Sequence, residues 1–274
     1  EIISSDSRQF YKELCIGTAV PENEQLQAVK HHFIQFISVT DYYNASMFEF
    51  DAIAQLNEIH KKHDLALMVG GSGMYIDAVC KGIDDIPDID MELRNELMER
   101  IKNEGLESLR LELKKVDPAF YASADLKNTQ RILRAMEVFL QTGKPFSSFR
   151  TQQHKKRPFE IIKIGLNRER DELYRRINMR VDKMIADGLE EEAKSVNQFR
   201  NYYALKTVGY REFFDFFDDK ITKETAAELI KQNTRRYARR QLTWFRREKE
   251  IQWFHPENKQ EIIAFIDSKI FQLD

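Results

Sequence analysis

The chain opens on two isoleucines and then turns polar: Ile2-Ile3 is followed by Ser4-Ser5-Asp6-Ser7-Arg8-Gln9. A short apolar segment running into polar residues predicts a strand that feeds a loop at the mouth of a sheet, where α/β proteins hold their ligands. Residues 22–64 read as helices around a short strand, with His31-His32-Phe33-Ile34-Gln35-Phe36 at the strand and Phe48, Ile53, Leu56 and Ile59 forming one apolar helical face. Leu65-Ala66-Leu67-Met68-Val69 is apolar throughout, which predicts a buried strand. It runs into Gly70-Gly71-Ser72-Gly73 and a helix from Tyr75 to Cys80. A strand, a Gly-rich turn and a helix in that order can aim backbone N–H groups and a positive helix end at an anion. The plainer alternative is a tight turn whose glycines supply positive φ.

Residues 88–150 read as a run of helices, with Leu93, Leu97, Ile101, Leu106, Leu109 and Leu113 on their apolar faces. Within the helix that starts near Asn128, Ile132, Leu133, Met136 and Phe139 (or Leu140) point inward, while Arg131 and Arg134, three apart, share the outer face. An ion pair with Glu137 is the structural alternative for Arg134. Phe159 to Leu166 reads as a strand returning to the sheet. The next helix carries Leu173, Ile177, Val181, Met184 and Ile185 on one face and ends at Gly188, in a C′ position. Residues 250–274 are amphipathic.

Composition narrows the class. With 274 residues, 42% apolar and 32% charged, and only ten glycines, the chain fits a helix-rich, soluble protein with one sizeable core, or with one core plus an appended helical subdomain. Lys plus Arg is 43 against 45 for Asp plus Glu, so total charge says nothing about nucleic acid and distribution must. From Lys231 to Lys249 eight basic residues face a single acid, Glu248, with Tyr237, Trp244 and Phe245 interleaved. Solvated helices usually mix signs, so this stretch points to phosphate contacts with aromatic platforms for bases. Cys15 and Cys80 form no C-x-x-C pair, and the pairs His31/His32 and His60/His63 have no third ligand nearby, so no metal centre is expected from them. No run is long enough to span a bilayer and no signal peptide is visible, which points to the cytoplasm and away from membranes.

Asp6 taken alone fits a helix N-cap. The neighbouring Ser7, Gln9, Tyr11 and Thr18 add chemistry that a cap does not need. Asp6-Ser7-x-Gln9-x-Tyr11 with Ile16-Gly17-Thr18-Ala19-x-Pro21 resembles the tRNA dimethylallyltransferases, also called tRNA isopentenyltransferases. The resemblance extends through at least four further motifs: Gly70-Gly71-Ser72-Gly73-Met74-Tyr75, Asn128-x-x-Arg131-x-x-Arg134-Ala135-x-Glu137, Gly209-Tyr210-Arg211-Glu212, and Arg235-Arg236-Tyr237-Ala238-Arg239-Arg240-Gln241-x-Thr243-Trp244-Phe245-Arg246. Ser72 and Met74 stand where the family has Thr and Leu, and Val20 where it often has Lys.

The resemblance implies a P-loop-type parallel-sheet α/β core over 1–87 and 156–274, with a helical insertion over 88–155 that contacts tRNA. It implies transfer of a dimethylallyl group from dimethylallyl diphosphate to the exocyclic amine of the adenosine 3′ to the anticodon, with Mg2+, in a monomer. Asp6, Thr18 and Ser72 would be catalytic, and Thr18, Gly71 and Ser72 would hold the diphosphate. Asp6, Ser7, Arg8, Gln9, Arg94, Asn128, Gln130, Arg131, Arg134, Lys206, Gly209, Tyr210, Arg211, Arg239, Arg240, Gln241, Trp244 and Arg246 would meet the tRNA. The resemblance also implies a G-x-x-x-x-G-K-[ST] loop just ahead of Glu1, as the family has there; the one Gly-Lys pair in these residues, Gly143-Lys144, precedes Pro145, follows no strand and does not match it. Three other readings compete: an isopentenyltransferase of free adenine nucleotides, a non-catalytic RNA-binding module, and a nucleotide kinase on the same core.

Overall fold

A computed structural model describes residues 1–151 and 153–271. The chain forms two compact units, one of residues 1–80 with 157–274 and one of residues 81–156. In chain order the elements are β1 (Ile2–Ser4), α1 (Asn23–Ala28), β2 (His31–His32), α2 (Ala45–His60), β3 (Leu67–Val69), α3 (Gly73–Lys81), α4 (Met91–Glu104), α5 (Leu106–Val116), α6 (Pro118–Ser123), α7 (Thr129–Thr142) and α8 (Phe146–Phe149). There follow β4 (Ile164–Leu166), α9 (Arg170–Ala186), α10 (Leu189–Ser195), α11 (Arg211–Phe217), α12 (Lys223–Phe245), β5 (Gln252–Phe254) and α13 (Lys259–Ile270).

The larger unit is α/β with all-parallel pairing. β1 lies between β2 and β3, with Ile3 opposite both His32 and Met68. β4 pairs with β5 in a separate two-stranded sheet, Gly165 opposite Trp253. Two sequence expectations change here. The segment 159–166 contributes a strand only over its last three residues, and that strand pairs with the 252–254 stretch rather than with β1–β3. β3 is not buried: among the described strands it pairs only with β1, and Leu67 and Val69 are 56% and 51% exposed. An apolar run fits any depth in a sheet, and its place in the strand order sets the depth.

Phe10 anchors the loop that follows β1. It is fully buried among Phe36, Tyr43, Phe48 and Tyr75, with ring centroids 5.3–5.6 Å away. Aromatic pairs of this kind contribute about 0.5–1.5 kcal/mol each beyond their buried area. A second cluster joins Tyr11, Leu14, Val181, Leu189, Tyr210, Phe213 and Ile230, so the chain on both sides of the Asp6 loop is set in core.

The smaller unit is a helical bundle packed on Leu97, Leu109, Leu113, Ile132, Leu133 and Met136. Its core holds a carboxylate. Glu137 on α7 is fully buried, with Arg94 Nη1 3.4 Å and Arg134 Nη1 3.5 Å away, and Arg134 also donates to the Pro87 carbonyl. Burial pushes the Glu137 carboxyl up, and the two arginines oppose it. Replacing Glu137 with alanine strands two guanidinium groups that are only 18% and 23% exposed. Breaking a fully buried pair costs about 3–5 kcal/mol, and the partial exposure here lowers the expected loss to about 2–3 kcal/mol. Thermal unfolding of Glu137→Ala checks this against Arg131→Ala, whose exposed side chain should change stability by under about 0.5 kcal/mol.

Candidate active site and RNA-facing surface

β1 and β3 run side by side, and Ser5 N donates to the Val69 carbonyl at 2.8 Å, so both strands release their next residues at the same place. This brings the Asp6 turn against the Gly-rich turn. Ser7 N donates to Ser72 Oγ at 3.0 Å, and Ser72 Oγ donates to Ser7 Oγ at 3.0 Å. None of Gly70, Gly71 and Gly73 has positive φ. A Cβ at these positions would collide with Ser5, Gln241 and Trp244 respectively. Glycine is therefore required for close approach, not for a left-handed turn.

The Asp6 carboxylate accepts from Arg8 N at 2.9 Å. Burial pushes this carboxyl above the ordinary aspartate range, while the Arg8 and Gln9 backbone N–H groups and the charges of Arg8 and Arg180 pull it back. Arg8 does not reach outward: Nη1 donates to the carbonyls of Tyr203 (3.2 Å) and Ala204 (3.1 Å), with the guanidinium over the Tyr203 ring. Gln9 is committed at both ends, accepting from Ser4 Oγ at 3.0 Å and donating to the Thr18 and Ala19 carbonyls at 3.2 and 2.9 Å. The buried Thr18 hydroxyl donates to the Leu14 carbonyl at 2.9 Å. A hydroxyl has one proton to give, so Thr18 secures its loop where an anion donor was expected, and Gln9 is an internal tie where an RNA contact was expected.

Helix α12 covers the other side. Tyr237, Gln241 and Trp244 fall on one stripe of it. Gln241 Nε2 donates to the Gly71 carbonyl and Trp244 Nε1 to Asp77, each at 2.9 Å. One turn further back, the Tyr237 hydroxyl lies by Ser72 and Asp6. Burial and the Asp6 charge push its pKa up, and the Ser72 hydrogen bond opposes them. Gln241 and Trp244 therefore hold the Gly-rich turn rather than standing free for RNA. The outer stripe differs: Arg236, Arg239, Arg240, Thr243 and Arg247, with Trp244, line a cleft of about 550 Å³. Arg240 sits over the Tyr237 ring and Arg247 over Trp244. Arg246 is exposed on the same helix end.

The remaining sequence candidates divide sharply. Lys206 and Arg211 are exposed. Gly209 has φ +99° and donates its N–H to Glu212 at 2.9 Å, and Tyr210 is fully buried. In the helical unit Asn128 caps α7 by accepting from Arg131 N, and Gln130 accepts from Arg94 Nη2 at 2.8 Å. Arg94 and Arg134 turn inward to Glu137, so Arg134 leaves the outer face on which Arg131 stays exposed. Sequence reasoning left Arg180 and Tyr237 out of the site. For Tyr237 a signal existed in its spacing, four before Gln241 and seven before Trp244. Among the described residues no three His, Cys, Asp or Glu side chains group to hold a metal, so the donors do not build a cage for a resident Mg2+. None of the described helices is long and apolar enough to cross a membrane.

Residues 9–248 match the family model described as IPP transferase. The chain belongs to the IPP transferase family. It is 52% identical over 267 residues to tRNA dimethylallyltransferase 1 of Phocaeicola vulgatus, covering 97% of this chain and 89% of the relative. Among solved structures, the tRNA isopentenylpyrophosphate transferase of Bacillus halodurans superposes with a TM-score of 0.71 at 35% identity, over 99% of this chain and 88% of that one. A eukaryotic dimethylallyltransferase acting on tRNA superposes with a TM-score of 0.82 at 21% identity, over 99% and 73%, which speaks for the fold alone.

Proposed function

We propose that this IPP transferase moves a dimethylallyl group from dimethylallyl diphosphate to the exocyclic amine of the adenosine 3′-adjacent to a tRNA anticodon. The observation that carries the reading is a carboxylate raised by burial, Asp6, set beside a serine pair in the turn that α12 covers, the same helix carrying a cleft lined by four arginines. The adenine amine is a weak nucleophile because its lone pair is delocalised into the ring. As its nitrogen bonds to the primary carbon of the dimethylallyl group, the bond from that carbon to the diphosphate oxygen breaks and the amine proton passes to Asp6. A base whose pKa lies above that of a free carboxylate takes that proton with more driving force. The Ser7 hydroxyl, held by Ser72, and the Gly73 and Met74 N–H groups at the start of α3 supply donors for the charge gathering on the departing diphosphate. A magnesium ion entering with the diphosphate would neutralise that same charge.

The base must leave its stack to reach Asp6. Exposed Arg239 and Arg240 on α12 and Arg246 just past its end, with Lys206 and Arg211, supply contacts to the RNA backbone, and Arg131 supplies one from the helical unit (81–156), which we assign to the tRNA. An enzyme of free nucleotides has no use for this many separate cations. Competition binding separates the two readings: unlabelled tRNA should displace a labelled anticodon stem-loop, and AMP should not at equal nucleotide concentration. Equal displacement by AMP favours the free-nucleotide enzyme.

A further inference from the structure

Glu192, on α10, has no part in the chemistry above, yet it is the most heavily hydrogen-bonded carboxylate near it. Its Oε2 accepts from Cys15 N at 2.9 Å and Ile16 N at 2.8 Å, and its Oε1 accepts from Gly17 N at 2.9 Å and from the Tyr210 hydroxyl at 2.7 Å. Three successive backbone N–H groups turned to one point make an anion-binding nest. Here the protein fills the nest with its own charge. Tyr210 is fully buried in the α9–α12 core, so the hydroxyl that holds the carboxylate does not wander. Gly17 is part of the fit: a Cβ there would stand 2.5 Å from the Tyr210 hydroxyl and 2.9 Å from Leu189, so only glycine lets the loop come this near.

The nest connects to the reacting groups without a break. The loop it fixes ends in the Thr18 and Ala19 carbonyls, which accept from Gln9 Nε2. Gln9 Oε1 takes the Ser4 hydroxyl, and Ser4 Oγ accepts from Asp6 N at 3.3 Å. We infer that Glu192, held by the Tyr210 hydroxyl, is a positioning residue that fixes the 15–19 loop and through it sets the Asp6 carboxylate against its acceptor. The inference rests on the reaction proposed above, in which Asp6 takes the amine proton. A carboxylate is suited to the task because it only accepts, and four donors converge on it. An amide at the same place would turn its NH2 toward one of those donors.

The test uses the intact enzyme and three variants: Tyr210→Phe, Glu192→Gln and, as control, Glu191→Gln, whose side chain is exposed next door. Two quantities are read, hydrogen exchange at the amides of residues 15–17 and dimethylallyl transfer with its separate kcat and KM for tRNA. Exchange should quicken in both Tyr210→Phe and Glu192→Gln. Transfer should slow about tenfold in Tyr210→Phe and on the order of 100-fold in Glu192→Gln, the scale expected when a catalytic group is misplaced by about 1 Å. KM for tRNA should stay within about twofold, and Glu191→Gln should match wild type throughout. Faster exchange with unchanged transfer overturns the inference, as does unchanged exchange or an effect confined to KM. If Glu192→Gln does not fold, Tyr210→Phe, which keeps three of the four donors, decides alone. Wild-type enzyme that transfers nothing to tRNA counts against the proposed reaction rather than against the role of Glu192.

Discussion

Replacing Asp6 with alanine lowers the rate of dimethylallyl transfer by about 10²–10⁴-fold, the range in which a positioned general base contributes. The dissociation constant for tRNA stays near that of wild type, because the Asp6 side chain is engaged with its own turn at Arg8 N rather than with the outer surface. The loss therefore falls on kcat, and kcat/KM follows in proportion. The pH dependence has a definite sign. Asp6 acts as a base only when ionised, and burial raises its pKa, so activity should rise with pH through a limb above the ordinary aspartate range. Asp6→Asn, which keeps the shape and removes the titrating group, should lose both that limb and most of the rate. Single-turnover assays across pH, with tRNA affinity measured separately, read all three quantities. Near-normal turnover in Asp6→Ala would remove Asp6 from the mechanism.

The second large effect belongs to α12. Changing Arg239 and Arg240 together to glutamate should weaken tRNA binding by on the order of 100-fold at low salt. It should also flatten the salt dependence by about 1–2 in the log–log slope, since each phosphate left without its arginine keeps its own counterion. These two arginines stand on the exposed stripe, and Arg240 is held in place over the Tyr237 ring. The same change at Arg94 and Arg134 should act differently. Those side chains serve the buried Glu137, so the variant should lose stability before it loses salt sensitivity. Filter binding over a salt series, set beside thermal unfolding, distinguishes the two sets. An unchanged slope for the α12 variant would mean that its arginines are structural.

These contrasts mark where the sequence could be read and where it could not. The Ile2-Ile3 segment and the polar run behind it show a strand delivering Asp6, and that needs only local pattern. The Gly-Gly-Ser-Gly turn is visible as a turn, but its reason is not: the partners that forbid a Cβ are Ser5, Gln241 and Trp244, and two of them lie about 170 positions away. The pairing of Ile164–Leu166 with Gln252–Phe254 also spans a long stretch of chain, so periodicity in either segment carries no trace of it. Helical spacing put Arg131 and Arg134 on one face, yet a buried carboxylate three residues on draws Arg134 inward. Burying an unpaired Glu137 would cost more than removing one arginine from water. Tyr210 fits the same pattern. An aromatic beside a glycine and an arginine suits an RNA contact, and only the position of Glu192 shows that its hydroxyl faces the core.

The central claim concerns where the dimethylallyl group goes. The most direct measurement gives the intact enzyme isotopically labelled dimethylallyl diphosphate with tRNA and AMP present together, then digests the RNA to nucleosides and locates the label by mass spectrometry. The account predicts label on the exocyclic nitrogen of the adenosine 3′ to the anticodon, with AMP unlabelled. Label on AMP alone, or on no adenosine while tRNA is bound, would contradict it.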